Sequence, residues 1–488
     1  MRKFRGPARI ETLSRKQCVK NPILALALLF AIGKSASGES PPNIILVMPD
    51  DVGYGDYSFQ GNPIIKTPAI DAFVKSSVLF SDFHVSPTCA PTRSALLTGR
   101  HEFENGVTHT IHERERLPLN AITMAQVLQQ AGYKTGIFGK WHLGDEPAYL
   151  PSKRGFDEFY IHGAGGIGQS YPGSCGDFPG NNNINPTLLH NDSVVKTQGY
   201  CTDLFFAQSM RWIDKQQQDG KPFFAMITPN AAHTPHVLPR KEFEHLLPLT
   251  KKFQQSQELA KHYGMIENID RNVGKLLEHL REKQLEKNTL VIYLASDNGG
   301  TMGTRVHSAG LRGTKGSPWQ GGTRTWSAWR WPAGFKSPAR CDASVAQIDI
   351  FPTIAQITKI RLTENAKAQI KGKSFLPLLQ NPQSDWENRL LFTHVGRWPN
   401  GADPKLHQYQ NCAVRDQRYS LVNDKELYDL KNDLAQKRNI IAEQPEIAAR
   451  LKAGYDAWWK SLDKSFVNES AYLNAPKLNA FRELYEKK

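Results

Sequence analysis

Paired oxygen-bearing side chains stand directly after two apolar runs of the chain, where they could bind a hard metal ion. The pairs are Asp50-Asp51 and Asp297-Asn298. Carboxylate and amide oxygens suit Ca²⁺ or Mg²⁺ better than a transition metal that prefers thiolates. Either pair alone could be a polar turn that ends a strand, so the prediction of a metal site depends on a fold that brings the two pairs together.

A second group of residues could do covalent chemistry. Residues 86–100 read SPTCAPTRSALLTGR and place Cys89, Pro91 and Arg93 in a Cys-x-Pro-x-Arg core. A lone cysteine near a helix start is usually only a buried residue. The nearby arginine, however, could orient a nucleophile or an anion through its planar fork.

Two lysines and two histidines later in the chain could assist such chemistry. They are Lys140 and His142 in Gly-Lys-Trp-His, His233 in His-Thr-Pro, and Lys315 in Gly-Thr-Lys-Gly. Together with Arg93, the lysines could supply fixed positive charge to a reaction that develops negative charge. Histidine suits proton transfer because its ordinary pKa is close to neutrality.

Four short apolar runs predict the strands that must position these groups. They are Asn43–Met48, Tyr133–Phe138, Phe223–Ile227 and Leu290–Ala295, with helix-like stretches such as Ile122–Gln130 and Tyr263–Glu282 between them. This alternation predicts an α/β fold with a large, mostly parallel (mixed) sheet flanked by helices on both faces. Ligands bind at the carboxyl ends of such strands, so the polar groups should form one site.

The rest of the chain predicts a second, smaller domain. We expect a catalytic domain over residues 39–382 and a C-terminal α+β domain over residues 383–488, with a small antiparallel sheet and a terminal helix over Pro445–Lys464. The Trp458-Trp459 pair should pack in a core. Gly155–Tyr200, rich in Gly, Asn and Pro, is predicted to be a long loop at the substrate rim.

The net charge of +14 comes partly from the start of the chain. Residues 1–38 contain eight basic residues and one acidic residue, and the remaining 53 basic and 46 acidic residues leave +7. This modest surplus fits a small anionic substrate and argues against a nucleic-acid partner.

Residues 1–38 are predicted to be a cleaved secretory signal. A basic start, the apolar run Pro22–Gly33 and the small residues Ser35–Gly38 follow in the order of such a signal. The apolar run is shorter than the ~20 residues of a spanning helix, although an uncleaved anchor is the alternative. We expect no stable membrane span and an exported protein: periplasmic, secreted or lysosome-like, depending on the host. That compartment permits disulfides, and Cys175–Cys201 is the expected pair, although spacing does not fix connectivity.

The stretch of residues 86–100 resembles the signature of the type I sulfatases of the alkaline-phosphatase-like superfamily. Other family landmarks follow in order, so the resemblance covers about residues 41–460. It implies that a formylglycine-generating maturation enzyme oxidises Cys89 to formylglycine. It also implies a bound Ca²⁺, or else Mg²⁺, whose ligands are Asp50, Asp51, Cys89, Asp297 and Asn298.

The same resemblance implies catalytic roles for Cys89, Arg93, Lys140, His142, His233 and Lys315. One hydroxyl of the hydrated aldehyde, activated by the metal and Asp297, would attack sulfur. His233, aided by Lys315, would protonate the departing alcohol. His142 would then accept the proton whose removal releases sulfate and restores the aldehyde.

Three departures from the family pattern leave these matches intact. Gln320 stands where the family often has Glu, Thr92 stands where Ser is commoner, and Thr325–Trp329 replaces an apolar stretch. None is a matched catalytic residue. They concern local packing and the substrate rim, to which the segment of residues 325–331 is expected to contribute.

The resemblance therefore implies an arylsulfatase-like sulfuric ester hydrolase. Its substrate would be a sulfated small molecule or polysaccharide, and the bond cleaved would be a sulfate ester of a carbohydrate or of an aromatic alcohol. One alternative is a phosphomonoester or phosphodiester hydrolase on the same fold, because some such relatives also use formylglycine. Lys140, His142 and Lys315 favour sulfate. A noncatalytic carbohydrate-binding homologue is the other alternative, and the complete set of catalytic matches argues against it.

Nine of the other thirteen histidines fall into two groups. Those near the motifs could line a substrate pocket: His101, His109, His112, His162, His236 and His307. His84, His190 and His262 are expected to be surface or packing residues. Asn191 and Asn468 begin glycosylation sequons, which matter only in a glycosylating host.

Overall fold

The centre of the large sheet is built from apolar strands that are buried on both faces. The computed structural model describes residues 40–171, 173–462, 465–467 and 480–486. In β1 (Asn43–Val47), Ile44 and Leu46 enter one hydrophobic core. Ile45 and Val47 enter a second core on the opposite face. Because both faces are covered, every position must be apolar, which explains the continuous apolar run.

The large sheet contains eleven strands in the described part of the chain. In chain order they are β1, β2 (Val78–His84), β3 (Lys134–Lys140), β4 (Glu158–His162), β5 (Thr187–His190), β6 (Ser193–Lys196), β7 (Phe223–Thr228), β8 (Thr289–Leu294), β9 (Arg324–Arg330), β10 (Ala339–Cys341) and β11 (Val345–Ala346). Their order across the sheet is β10-β2-β9-β8-β1-β7-β3-β4-β5-β6, and β11 pairs with β2.

Parallel pairing dominates the centre of this sheet, where β8, β1, β7, β3 and β4 are parallel neighbours. Antiparallel strands flank them, with β9 beside β8 on one side and β5 and β6 beyond β4 on the other. The expected α/β fold with a mostly parallel, mixed sheet is therefore confirmed.

Helices cover both faces of the sheet. They are α1 (Pro68–Lys75), α2 (Cys89–Thr98), α3 (Met124–Gln130), α4 (Cys201–Gln218), α5 (Leu247–Thr250), α6 (Ser256–Glu282), α7 (Gln320–Thr323), α8 (Ile350–Ile357), α9 (Glu364–Gln369), α10 (Leu376–Gln380), α11 (Pro445–Ser461) and α12 (Ala480–Glu486). Residues of α2, α3, α8 and α10 pack in the first core, and residues of α1, α4 and α6 pack in the second.

A small antiparallel sheet forms the C-terminal part of the molecule, as expected. Its strands are β12 (Leu391–His394), β13 (Cys412–Arg415), β14 (Tyr419–Val422) and β15 (Glu426–Asp429). Trp458 and Trp459 of α11 pack with this sheet in a third core, which Phe103 from the earlier part of the chain also enters. Residues from Pro41 onward group as one compact unit, so a domain boundary at 382/383 stays a prediction.

Two expectations about irregular segments need correction. Gly155–Tyr200 is not one long loop, because it contains β4, β5 and β6. The strands β5 and β6 form a short hairpin, and the Asn, Asp and Gly residues around them make their apolar sequence pattern hard to recognise. The segment of residues 325–331 does not form a substrate rim, because most of it belongs to β9, where Trp326 and Trp329 are fully buried.

Some predictions concern residues outside the described ranges. The signal over residues 1–38 and the Asn468 sequon lie there. Within the described residues, no helix combines the length and apolarity needed to cross a membrane.

The expected Cys175–Cys201 disulfide is wrong, because both thiols are free. Cys175 donates its backbone N–H to the Glu115 carboxylate. Cys201 instead starts α4 and packs in the second core. The two cysteines therefore belong to different environments.

Candidate active site

The candidate site lies at the carboxyl ends of the central parallel strands. Asp50 and Asp51 follow β1, and Asp297 follows its neighbour β8. The Asp297 N–H donates to the carbonyl of Pro49, which joins the two strand ends directly, at 3.2 Å. The fold thus brings the two acidic pairs together, as the sequence predicted.

Cys89 lies among these carboxylates at the first position of α2 and is 2% exposed. Lys315 Nζ lies 3.3 Å from Cys89 Sγ. Burial acts to raise the pKa of the Cys89 thiol, but the charges of Lys140 and Lys315 outweigh it and hold that pKa well below its usual range. The position is therefore built to hold negative charge on residue 89.

Three cations surround Cys89, of which Arg93 and Lys140 are buried and Lys315 is partly exposed, and each is paired with one carboxylate. The pairs are Lys140 Nζ–Asp50 Oδ2 at 2.6 Å, Lys315 Nζ–Asp51 Oδ1 at 2.6 Å, and Arg93 Nη2–Asp297 Oδ2 at 2.7 Å. Arg93 also donates to the carbonyl of Lys140, at 2.9 Å, which ties α2 to the end of β3. A buried charge is costly unless it is paired, so this network fixes all six side chains.

Several buried oxygens at the site have no hydrogen-bond partner among the described residues. They are Asp50 Oδ1, Asp297 Oδ1 and Asn298 Oδ1. Burial and the neighbouring Asp297 also raise the pKa of Asp50 well above its usual range, despite its pairing with Lys140. Unsatisfied buried oxygens that repel one another fit a hard divalent cation such as Ca²⁺ or Mg²⁺.

A second geometric observation points to the same place. Ligand atoms of Asp50, Asp51, Cys89 and His233 all lie within 4.8 Å of one another. Three of these residues belong to the predicted ligand set, and His233 was predicted as a catalytic residue instead.

The two predicted catalytic histidines face Cys89 from different elements. His142 follows β3 and is 1% exposed, with Nε2 3.2 Å from the carbonyl of Thr110. Burial and the charge of Lys140 lower the pKa of His142 to about 4, so its neutral ring can accept a proton at neutral pH. His233 Nδ1 donates to the carbonyl of Thr234, at 2.6 Å, and its Nε2 lies 3.8 Å from Asp51 Oδ2.

A pocket of about 300 Å³ opens beside Cys89. Its lining residues are Cys89, His109, Thr110, Ile111, His142, Gly165, Gln169, Tyr171, Ser174, Cys175, His233, Lys315 and Arg397. Five of these come from the Gly155–Tyr200 segment, so the segment does line the pocket, and its place at a substrate rim stays a prediction.

The histidines without a motif are mostly elsewhere. His109 lines the pocket, whereas the other five expected lining residues, His101, His112, His162, His236 and His307, do not. His101, for example, contacts the third core through Trp458. His84 and His262 are buried beside carboxylates, and His190 is paired with Glu158, as expected of packing residues.

Arg397 and Tyr171 are among the pocket residues that sequence reasoning missed. Each lies outside any recognisable motif, and Arg397 reaches the pocket from the C-terminal part of the chain. A signal for Tyr171 did exist, because it lies in the segment predicted to form the rim. No local pattern distinguishes Arg397 from the other exposed arginines.

Comparison with known sequence families gives two matches. A model of the sulfatase family matches residues 42–360, and a model described as N-sulphoglucosamine sulphohydrolase, C-terminal, matches residues 319–456.

Curated relatives include several sulfatases. Bovine arylsulfatase A is 30% identical over 394 residues, covering 75% of this chain and 73% of that protein. Human N-acetylgalactosamine-6-sulfatase is 29% identical over 378 residues, covering 71% of this chain and 67% of that protein. Mouse arylsulfatase J is 29% identical over 339 residues, covering 67% of this chain, which spans about half (54%) of that relative's length.

Solved structures show the same fold. The structure of Ps i-CgsB has 29% sequence identity and a TM-score of 0.75, and the match covers 92% of this chain and 99% of that chain. Its complex with a k-i-k-neocarrahexaose has a TM-score of 0.76 at 27% identity with the same coverage.

Proposed function

Because the chain belongs to the sulfatase family of sulfuric ester hydrolases, we propose that it cleaves a sulfate ester through a nucleophile made from Cys89. The observation that carries this proposal is the position of Cys89 at the base of a pocket, with two lysine ammonium groups and two histidines directed at it. Sulfate esters are anionic and gain charge during cleavage, so fixed cations at the reacting group are the expected means of catalysis.

The three paired cations have different proposed roles in catalysis, according to where each one lies. Lys315 lies closest to residue 89 and lines the pocket, where it can contact the sulfate oxygens and the departing oxygen. Lys140 is fully buried behind Cys89 and supplies positive charge without contacting solvent. Arg93, which links Asp297 to the Lys140 carbonyl, holds the start of α2 in place.

A divalent metal and a formylglycine complete the proposed site. Asp50, Asp51, Asp297, Asn298 and residue 89 would hold Ca²⁺ or Mg²⁺, which when bound would neutralise sulfate charge and acidify a hydroxyl. Oxidation of Cys89 to formylglycine would supply that hydroxyl after hydration of the aldehyde.

The two histidines are placed for different proton transfers. His233 lines the pocket and faces Asp51, so we assign to it, with Lys315, the proton donated to the leaving alcohol. His142 is neutral because of its lowered pKa, and its Nδ1 has no hydrogen-bond partner among the described residues. It is therefore assigned as the base that removes a proton from residue 89.

A sulfated carbohydrate is the substrate class that we favour. Relatives include an N-acetylgalactosamine-6-sulfatase, and one solved relative binds a neocarrahexaose. In this chain Tyr171 lines the pocket with 51% of its surface exposed, and its ring offers a flat apolar face with a polar end. Such a side chain can pack against a sugar ring at the pocket mouth.

Export and maturation belong to the same proposal. Residues 1–38 would act as the signal, residues 39–382 as the catalytic domain and residues 383–488 as the smaller domain. A formylglycine-generating enzyme would be the maturation partner.

The test compares two cysteine variants made in a host that carries the maturation enzyme. Cys89→Ala should lower the turnover of an aryl sulfate by at least about 10³-fold, because the nucleophile is lost. Cys341→Ala is the matched control, since Cys341 is also buried but lies on β10 at the far edge of the sheet, and it should retain turnover. Full turnover by Cys89→Ala, or faster cleavage of the matched aryl phosphate by the wild type, would contradict the proposal.

A further inference from the structure

Arg397 differs from the other cations of the site in having no ionic partner. Arg93, Lys140 and Lys315 are each paired with a carboxylate. Arg397 is exposed on the pocket wall, and within the described residues it forms no ion pair or hydrogen bond. None of the described residues that line the pocket is acidic. Its charge is therefore available to a ligand.

The guanidinium of Arg397 lies close to the proposed reaction centre. Its Nη1 is 3.5 Å from the position that a Cβ on Gly316 would occupy, which places it beside the backbone next to Lys315. His109 also lines the pocket, and the charge of Arg397 acts on it. Burial, together with Arg114 and Arg397, lowers the pKa of His109 to about 3, so His109 is neutral and adds no second charge there.

The backbone that carries Arg397 is held by a buried arginine. Arg114, 1% exposed, donates to the carbonyl oxygens of Gly396 and of Trp398, the latter at 3.1 Å. Its guanidinium also stacks over the Trp398 ring, 4.3 Å from the ring centre. Both neighbours of Arg397 are thus fixed against the pocket wall, while its own side chain is left exposed. An ordinary surface arginine would not have such support.

We infer that Arg397 binds a second anionic group of the substrate, a sulfate or a carboxylate beside the ester that is cleaved. This inference rests on the proposed function, since it names a feature of the substrate of that same site. A guanidinium binds a planar or tetrahedral anion through two parallel N–H donors, which a lysine does not provide. The lysines next to residue 89 already serve the reacting sulfate, so an unpaired arginine farther out selects a substrate with more than one negative charge.

The experiment measures kcat and KM on matched sugars. Monosulfated monosaccharides are screened for sulfate release, and each active one is compared with its disulfated or carboxylated counterpart. For at least one sugar, the wild type should prefer the doubly anionic form by about 10- to 100-fold in kcat/KM, mainly through KM. Raising ionic strength should reduce that preference.

Two variants of Arg397 and one control identify the source of the preference. Arg397→Gln should remove most of it, and Arg397→Lys should restore only part, because charge returns without the two-donor geometry. Arg438→Gln is the control, since Arg438 is an exposed arginine paired with Glu443 outside the pocket; it should keep the wild-type preference.

The outcomes separate this inference from the proposed function. If the matured enzyme releases sulfate but shows the same substrate preference with arginine or glutamine at position 397, the role of Arg397 is wrong and the proposed function stands. A wild type that prefers singly charged sugars would also overturn the inference. If the matured enzyme releases sulfate from neither aryl sulfates nor sugars, the proposed function itself fails.

Discussion

Four acidic or amide side chains and three cations share a very small volume around Cys89. Each cation neutralises one carboxylate through one oxygen. The other oxygens of Asp50 and Asp297 stay buried without partners in the described structure. The ion pairs therefore account for one oxygen of each carboxylate, and the buried oxygens left without partners fit a proposed divalent cation.

Replacing Asp50 tests this interpretation. Adding Ca²⁺ or Mg²⁺ to metal-free wild type should raise its melting temperature by about 5 °C, because a ligand that binds only the folded state stabilises it. Asp50→Asn, which keeps the shape but removes the charge, should lose most of that increase in a thermal-shift measurement.

The control is Asp342→Asn, because Asp342 is an exposed carboxylate paired with Arg340. That variant should keep the wild-type response to the ion. An equal response in Asp50→Asn, or no response to either ion in the wild type, would contradict the metal site.

Sequence reasoning located the candidate side chains that lie at the carboxyl end of an apolar strand. Asp50 and Asp297 come shortly after β1 and β8, Lys140 is the last residue of β3, and the structure brings the three together. Arg397 could not be predicted in this way, because it reaches the pocket through packing of the small sheet against distant residues. Its anchor, Arg114, lies in a segment without regular secondary structure.

At the scale of elements, four central parallel strands and the small antiparallel sheet could be predicted, whereas β4 and the antiparallel strands of the large sheet could not. β1, β3, β7 and β8 have continuous apolar sequences because helices cover both faces. β9 reads Arg-Thr-Trp-Ser-Ala-Trp-Arg, and its polar residues interrupt the pattern although the middle of the strand is buried. Ser327 is tolerated there because it accepts from Trp329 Nε1, at 2.9 Å, and donates to the Tyr293 carbonyl, at 3.2 Å.

Arg114 links the segment before the pocket wall to the segment that follows β12 through hydrogen bonds to Gly396 and Trp398. Arg114→Lys should lower the free energy of unfolding by about 2–4 kcal/mol, since lysine cannot serve the carbonyls of Gly396 and Trp398 and the Thr108 hydroxyl together. Urea denaturation measures this change.

A conservative change at an exposed arginine is the matched comparison. Arg438→Lys should alter the free energy of unfolding by less than about 0.5 kcal/mol, because that ion pair is exposed. Equal effects of the two substitutions would show that Arg114 does not hold the segment in place.

At the scale of the whole molecule, the large and small sheets share part of their packing. Phe103, from the part predicted to be the catalytic domain, is fully buried in the third core with Trp398 and Trp458. The amino-acid composition changes near residue 383, which could be read from the sequence. The sequence could not reveal that residues before and after this position share one hydrophobic core. The smaller part therefore depends on the larger one for its stability.

The third core also makes the molecule sensitive to acid. His394 is 3% exposed and neutral, because its Nδ1 accepts the Gly396 N–H while Nε2 faces the carbonyl of His407. Burial lowers the pKa of His394 to about 4, below its unfolded value near 6.5. A lowered histidine pKa contributes stability above pH 6.5 that is lost as the pH falls toward 4.

The corresponding measurement is urea denaturation of wild type and His394→Gln between pH 7 and pH 4. Glutamine supplies one acceptor and one donor without a titrating ring. The wild type should lose about 3 kcal/mol more than the variant over this range. If the free energies of unfolding of the two proteins changed equally with pH, His394 would not be a buried neutral histidine.

The proposed function depends most of all on residue 89 becoming an aldehyde that takes part in sulfate ester cleavage. The most direct measurement is the mass of the peptide containing Cys89 from protein made in its own host, together with sulfate release from a small aryl ester. We expect a peptide about 18 Da lighter than the unmodified cysteine form, with sulfate released. An unmodified cysteine in protein that releases sulfate at full rate would contradict it.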